Sequence, residues 1–184
     1  CTHCEHLWPA KIYAAHINEI EHFFGLTYDE NVARILLLAK EDNVISARRL
    51  LAQNIIRILR YVISTADDEL TLMPIPSRPS ANRRRGFKHT TELCREVTRQ
   101  ADDMKLHISE MLRLTPAVKD QTAMDFYGRA SNLAGKMRVV ARPIDGQALP
   151  KIVLIDDVVT SGSTAIEAVR ALHAAGFSVF AIIS

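Results

Sequence analysis

The stretch Ile152-Val153-Leu154-Ile155-Asp156-Asp157-Val158-Val159-Thr160-Ser161-Gly162-Ser163-Thr164 decides the fold. Four consecutive branched apolar residues predict a strand buried on both faces, and such strands belong to parallel sheets covered by helices. Two carboxylates follow at its carboxyl end. A loop of small hydroxyl residues and one glycine then runs into a predicted helix over Thr164–Ala175, closed by Gly176, and Phe177–Ile183 returns as a second strand. The order is a βαβ unit.

Ligands of open α/β sheets sit at the carboxyl ends of the strands. The small side chains from Thr160 to Thr164 let backbone amides converge on a phosphate, helped by the helix dipole and by the hydroxyls of Thr160, Ser161, Ser163 and Thr164. Asp156 and Asp157 would repel that phosphate, so they are expected to face sugar hydroxyls or a magnesium ion instead. A Walker B strand ends similarly, but its partner G-x-x-x-x-G-K-[ST] is absent from the sequence, as is the dinucleotide fingerprint G-x-G-x-x-G.

Working outward, Met73-Pro74-Ile75-Pro76 marks a strand over Thr71–Ile75, opening into a predicted loop through Arg85 and Gly86. A helix over about Thr90–Asp103 follows, then a strand from Leu106 to Leu114, a polar segment over 116–136 and a strand over Met137–Val140. Upstream, Thr27 and Glu30 have the spacing of a capping box, with a helix ending near Lys40; apolar residues from Ala47 to Val62 mark a longer second helix. The reading is an α/β protein with a mostly parallel sheet and an N-terminal helical hairpin over 27–65, the sheet core occupying 70–184.

The 184 residues are 48% hydrophobic and 24% charged, enough for one domain with a real core, which excludes disordered, collagen-like and disulfide-scaffold classes. No apolar run approaches the ~20 residues of a membrane span and no signal segment opens the chain, so no membrane insertion and a cytoplasmic location are expected. Cys1 in first place suggests a longer gene product. Net charge is +2, but from Ser77 to Arg99 seven basic residues face two acidic ones, a local +5 that leaves the rest at −3. A localised anion site follows from that asymmetry. Cys1 and Cys4, flanked by His3 and His6, are one half of a tetrahedral zinc site. Without a second pair the half-site is incomplete, and residues 1–26 read as ribbon remnant and linker. Cys94 reads as a small buried hydrophobe, His89 and His107 as surface or packing residues, and His173 as a partner of its helix end.

The strand-loop-helix stretch from Val153 to Thr164 resembles the phosphoribosyl pyrophosphate signature of type I phosphoribosyltransferases. Further matches narrow the resemblance to the ComF family, also called the GntX-like or competence-protein F group. Met73 to Pro76 followed by Arg85-Gly86-Phe87 is similar to its proline-flanked strand and Arg-Gly-Phe-Asn run, with Lys88 in place of the asparagine. Gln121, Arg129 and Asn132 fall at the spacing of three family residues, Lys40 resembles a lysine ending the first helix, and Cys1-Thr2-His3-Cys4 looks like the last knuckle of a zinc ribbon. The resemblance implies a type I phosphoribosyltransferase sheet and a glycosyltransferase that binds phosphoribosyl pyrophosphate with magnesium, zinc entering only with a complete ribbon. The 5′-phosphate falls to Thr160, Ser161, Gly162, Ser163 and Thr164, the catalytic and ribose-binding roles and a share of magnesium to Asp156 and Asp157, and pyrophosphate to Ser77, Arg78 and Arg85. Gln121, Arg129 and Asn132 would form a flap. The acceptor is not legible, and self-association stays open. The alternative is a non-catalytic competence, DNA-uptake or nucleic-acid-handling protein that keeps the phosphoribosyl pyrophosphate site for regulation and whose basic stretch from Arg78 to Arg99 tracks single-stranded DNA.

Overall fold

A computed structural model describes residues 11–63, 69–115, 135–144 and 148–184. Eight strands and five helices are present among them: β1 (Tyr13–Ile17), β2 (Ile20–Phe24), α1 (Glu30–Lys40), α2 (Ile45–Val62), β3 (Glu69–Pro74), α3 (Pro79–Arg85), α4 (His89–Gln100), β4 (Lys105–Ile108), β5 (Leu112–Leu114), β6 (Met137–Val139), β7 (Lys151–Ile155), α5 (Ser163–Ala174) and β8 (Val179–Ile183). Six strands form one sheet in the order β1-β2-β8-β7-β3-β4, and β5 pairs with β6 in a small second sheet. Every pairing in the large sheet is parallel except the β1–β2 hairpin. The protein is an α/β protein with a mostly parallel sheet.

Alternation along the central strands explains how the sheet is covered. Val153 and Ile155 of β7, with Leu70 and Leu72 of β3, enter one core shared with α1, α2 and α4. Ile152 and Leu154, with Met73, enter the other, shared with α5 and the β5–β6 pair. Side chains at these positions are wholly buried, each contributing about 1.5–3 kcal/mol by removal from water. On the second face Glu167, buried in α5, accepts a hydrogen bond from the Met137 amide (2.8 Å), and Arg170 donates to the Met137 carbonyl (3.0 Å), fastening β6 to the helix.

From β3 the chain crosses through α3 and α4 to β4 on one side; from β7 it crosses through α5 to β8 on the other. The direction of winding therefore reverses between β3 and β7. That is where open α/β sheets form a crevice at their carboxyl ends. The strands are tied there by Ile75 N–H to the Ile155 carbonyl (2.9 Å) and Asp156 N–H to the Ile183 carbonyl (3.1 Å).

Four expectations change. Residues 13–24, expected as linker, form a hairpin whose second strand extends the sheet beside β8. Their alternation is hidden because β1 is an exposed edge strand with only Ile17 buried. The cap of α1 is Asp29, whose carboxylate accepts from the Val32 amide (2.8 Å), so the helix starts later than a Thr27 cap implies. The expected loop from Ser77 to Arg85 contains α3, started by Pro79 at its first turn and stopped by Gly86 at φ +79, a left-handed residue that suits glycine. The single strand expected from Leu106 to Leu114 is two, β4 and β5, in different sheets.

Candidate functional site

β7 delivers Asp156 and Asp157 to the crevice because its four preceding residues are locked in the sheet. The Asp157 amide donates back to Asp156 Oδ1 (2.9 Å), which fixes the two carboxyl groups relative to each other. Lys40, the last residue of α1, donates from Nζ to Asp157 Oδ2 at 2.5 Å. The pair titrates asymmetrically. Burial, then the charge of Asp157, push the Asp156 carboxyl well above the ordinary carboxylate range. Burial pushes Asp157 the same way, but the Lys40 ammonium outweighs it and holds that carboxyl below its usual value. Of the two carboxyl groups, Asp157 is the one the Lys40 ammonium favours as ionised, and Asp156 the one burial favours as protonated.

The loop from Thr160 to Gly162 leads directly into α5. Gly162 stands at the N-cap with φ +72, no side chain caps the helix, and the first helical bond runs from Ile166 N–H to the Gly162 carbonyl (2.8 Å). Ser161 and Ser163 hydroxyls bond each other (2.8 Å) above this turn. A Cβ on Gly162 would meet Ile17 at an ordinary 3.5 Å, so the constraint on this position is the dihedral and not space. Asp156, Asp157, Thr160, Ser161 and Gly162 all line one cavity of about 610 Å³, which runs between the β1–β2 hairpin, α1, α2 and the loop. Ser163 and Thr164 form the first turn of α5 beside it.

Other expected residues are placed differently. Ser77 lines a separate cleft of about 430 Å³ with Pro76, Asn82, Arg83 and Lys88, beyond the end of β3. Arg78 is the N-cap of α3. Arg85, expected on pyrophosphate, turns its buried guanidinium to Glu41 instead (2.6 and 3.0 Å), and Arg84 reaches the same carboxylate (3.0 Å). Those two arginines hold Glu41 down to about pKa 2. Gln121, Arg129, Asn132, Cys1 and Cys4 lie outside the described residues.

The basic stretch is largely internally neutralised. Lys88 pairs with Glu110, Arg95 with Glu92, and Arg99 with Glu96, beside the Glu41 pairs. Its local excess of charge is thereby divided among ion pairs, which weakens it as a track for a phosphate backbone.

Sequence reasoning missed His89. Expected as a surface or packing residue, it is fully buried at the start of α4, with Nε2 3.8 Å from Asp157 Oδ2 and neither ring nitrogen hydrogen-bonded. Burial drives its pKa down to about 4; Asp157 opposes this, while Lys40, Arg85 and Arg48 reinforce it. The ring is held neutral behind the Asp157 carboxylate. A lone histidine in a polar helix carries no spacing signal, so only the fold could reveal it. His107 conforms to the surface reading, exposed and paired with Glu69 (2.7 Å). Cys94 is buried, which pushes its thiol pKa up.

Among the described residues no helix is long and apolar enough to cross a membrane, and no three ligating side chains cluster into a metal cage. Fold and site together define an α/β protein with a polar site at the reversal of its sheet. No family model matches the chain, and no curated protein matches it significantly.

Proposed function

We propose that the chain is a phosphoribosyltransferase of the ComF type, binding phosphoribosyl pyrophosphate and transferring its phosphoribosyl group to an acceptor with release of pyrophosphate. The observation that carries this reading is one cavity, at the sheet's reversal point, lined jointly by two carboxylates and by a glycine-turned loop that opens a helix. That combination matches a ligand with an anionic end and a sugar between it and the reacting bond.

The amides of Ser161 to Thr164 and the loop hydroxyls receive the 5′-phosphate at the positive end of α5. Asp156 and Asp157 accept or exchange hydrogen bonds with the ribose hydroxyls. Ionised Asp157 also sets negative charge near the anomeric carbon, where positive charge develops as the carbon–oxygen bond breaks. The bonding pair leaves with pyrophosphate, toward Ser77, Arg78 and Arg83 at the end of β3. The acceptor's lone pair forms the new bond, and its proton passes to Asp157. Arg85 acts at one remove, holding Glu41 and thereby the end of α1 that carries Lys40.

Two carboxyl groups, one bonded to Lys40, do not enclose an ion alone. Asp156 and Asp157 would hold a magnesium ion only together with oxygens of the ligand. When bound, magnesium supplies neutralisation of the pyrophosphate charge.

The test is a calorimetric titration of phosphoribosyl pyrophosphate with magnesium into the wild type and Gly162→Val. The reading expects binding by the wild type and loss of binding in a variant that stays folded. Equal affinity in both overturns it.

A further inference from the structure

The large sheet is open along its β1 side, where β1 heads the strand order and pairs with β2 alone among the described strands. Sheet edges ordinarily carry a device against pairing with another chain, such as a lysine, a proline or a bulge. The opposite edge follows that rule, since β4 is four residues long and begins with Lys105. Tyr13-Ala14-Ala15-His16-Ile17 carries no lysine, acid or proline, and its register with β2 runs without a bulge. Ala14, Ala15 and His16 are exposed.

The register fixes which backbone groups face outward. Ile17 pairs with Ile20 across the turn Asn18-Glu19, where Asn18 has φ +54, so this pair exchanges both backbone bonds and the pairs behind it alternate. Ala15–His22 and Tyr13–Phe24 are bonded pairs, whereas Ala14–Phe23 and His16–Glu21 are not. A separate bond agrees: the Phe23 carbonyl is turned away from β1 and accepts from the Ser184 amide (3.2 Å). Ala14 and His16 therefore direct their N–H and C=O groups off the sheet.

We infer that β1 pairs with β1 of a second copy of this chain, antiparallel about a two-fold axis at Ala15, joining two sheets into one. In that register Ala14 of each copy meets His16 of the other, and each such pair exchanges both backbone bonds, so the outward-facing groups are matched. Ala15 meets its own symmetry mate in a non-bonded pair, the closely spaced kind, which a methyl side chain suits. Tyr13, stacked on Phe24 with ring centroids 5.3 Å apart, faces Ile17 of the other copy, an aromatic against a β-branched residue. Charge selects a second copy over an unrelated strand. Lys11 and Glu19, both exposed, stand four residues before and four after Ala15. The Lys11 ammonium, held over the Tyr13 ring (4.9 Å), thus comes beside the Glu19 carboxylate at the hairpin tip of the other copy, twice by symmetry. Sliding the register moves Lys11 off Glu19. The inference is independent of what the site cavity holds.

Sedimentation equilibrium of the chain over a range of concentrations, at low and at high salt, tests it. The wild type is expected to show a monomer–dimer equilibrium that salt weakens. Ala14→Pro removes an outward N–H that the hairpin does not use, and should weaken dimerisation at least about tenfold while circular dichroism and thermal unfolding stay unchanged. Ala15→Lys sets two ammoniums against each other at the axis and carries the same expectation should the proline variant not fold. Glu19→Lys should weaken dimerisation at least about threefold at low salt, and the double variant Lys11→Glu, Glu19→Lys should restore it. A wild type that is monomeric at every concentration overturns the inference. So does a dimer that survives the folded edge variant, or one that the charge reversals leave unchanged.

Discussion

Replacing Lys40 by methionine removes the ammonium from Asp157 while keeping most of the side chain's length. At 2.5 Å and an effective dielectric constant near 20, the attraction is about 7 kcal/mol. Desolvation of Asp157, whose side chain is 9% exposed, and the neighbouring Asp156 offset most of this. Because Lys40 remains 30% exposed and water can partly replace it, the net loss should be ~2–3 kcal/mol, below that of a fully buried pair. The sign with pH follows from the depressed pKa of Asp157. Its stabilisation is present above the ordinary value of 3.8 and is lost as pH falls through the lower folded value. The deficit of Lys40→Met should therefore be full at neutral pH and fade below about pH 4. Urea denaturation at several pH values measures it, and a double-mutant cycle with Asp157→Asn isolates the pair, which should show a coupling of ~1.5 kcal/mol or more. A deficit below ~0.5 kcal/mol, or one independent of pH, refutes the reasoning.

Three further outcomes follow from the same site. His89→Phe should flatten the acid limb of the stability curve: the wild-type ring, with pKa lowered from 6.5 to about 4, costs stability as pH falls through that window, by ~3 kcal/mol at most, and denaturation from pH 7 to 4 detects its removal. Asp156→Asn mimics the protonated carboxyl that burial already favours, so thermal denaturation at neutral pH should show a melting temperature equal to or above wild type even as ligand affinity falls. Gly86→Ala should cost ~1 kcal/mol in denaturant unfolding through its left-handed dihedral alone, since nothing lies within 4 Å of the added Cβ.

The parts of the fold legible in the sequence are those where one physical signal dominates. The apolar run from Ile152 to Ile155 is a strand buried on both faces, and α1 and α2 show helical spacing. The hairpin at 13–24 was not legible, because an edge strand open to solvent needs no apolar alternation; its place is set by backbone pairing to β8. Helix α3 hid behind three arginines and the preceding Pro74 and Pro76, which read as loop chemistry, yet Pro79 and Gly86 are its start and stop. In the site, Asp156, Asp157 and Gly162 could be singled out because consecutive residues carry the pattern. Arg85 could not be assigned correctly, since its partner Glu41 is remote in sequence. His89 is likewise remote in sequence from Asp157.

On the transferase reading the cavity at the sheet's reversal holds the 5′-phosphate and sugar of phosphoribosyl pyrophosphate, with the carboxylates on the sugar and the pyrophosphate directed to the cleft beyond β3. The measurement that tests this most directly is calorimetric titration of that ligand with magnesium into the wild type and into the folded double variant Asp156→Asn, Asp157→Asn. Saturable one-to-one binding that weakens at least about tenfold in the variant is the outcome expected. Identical affinity in the two proteins, or no binding to the wild type, would contradict the claim.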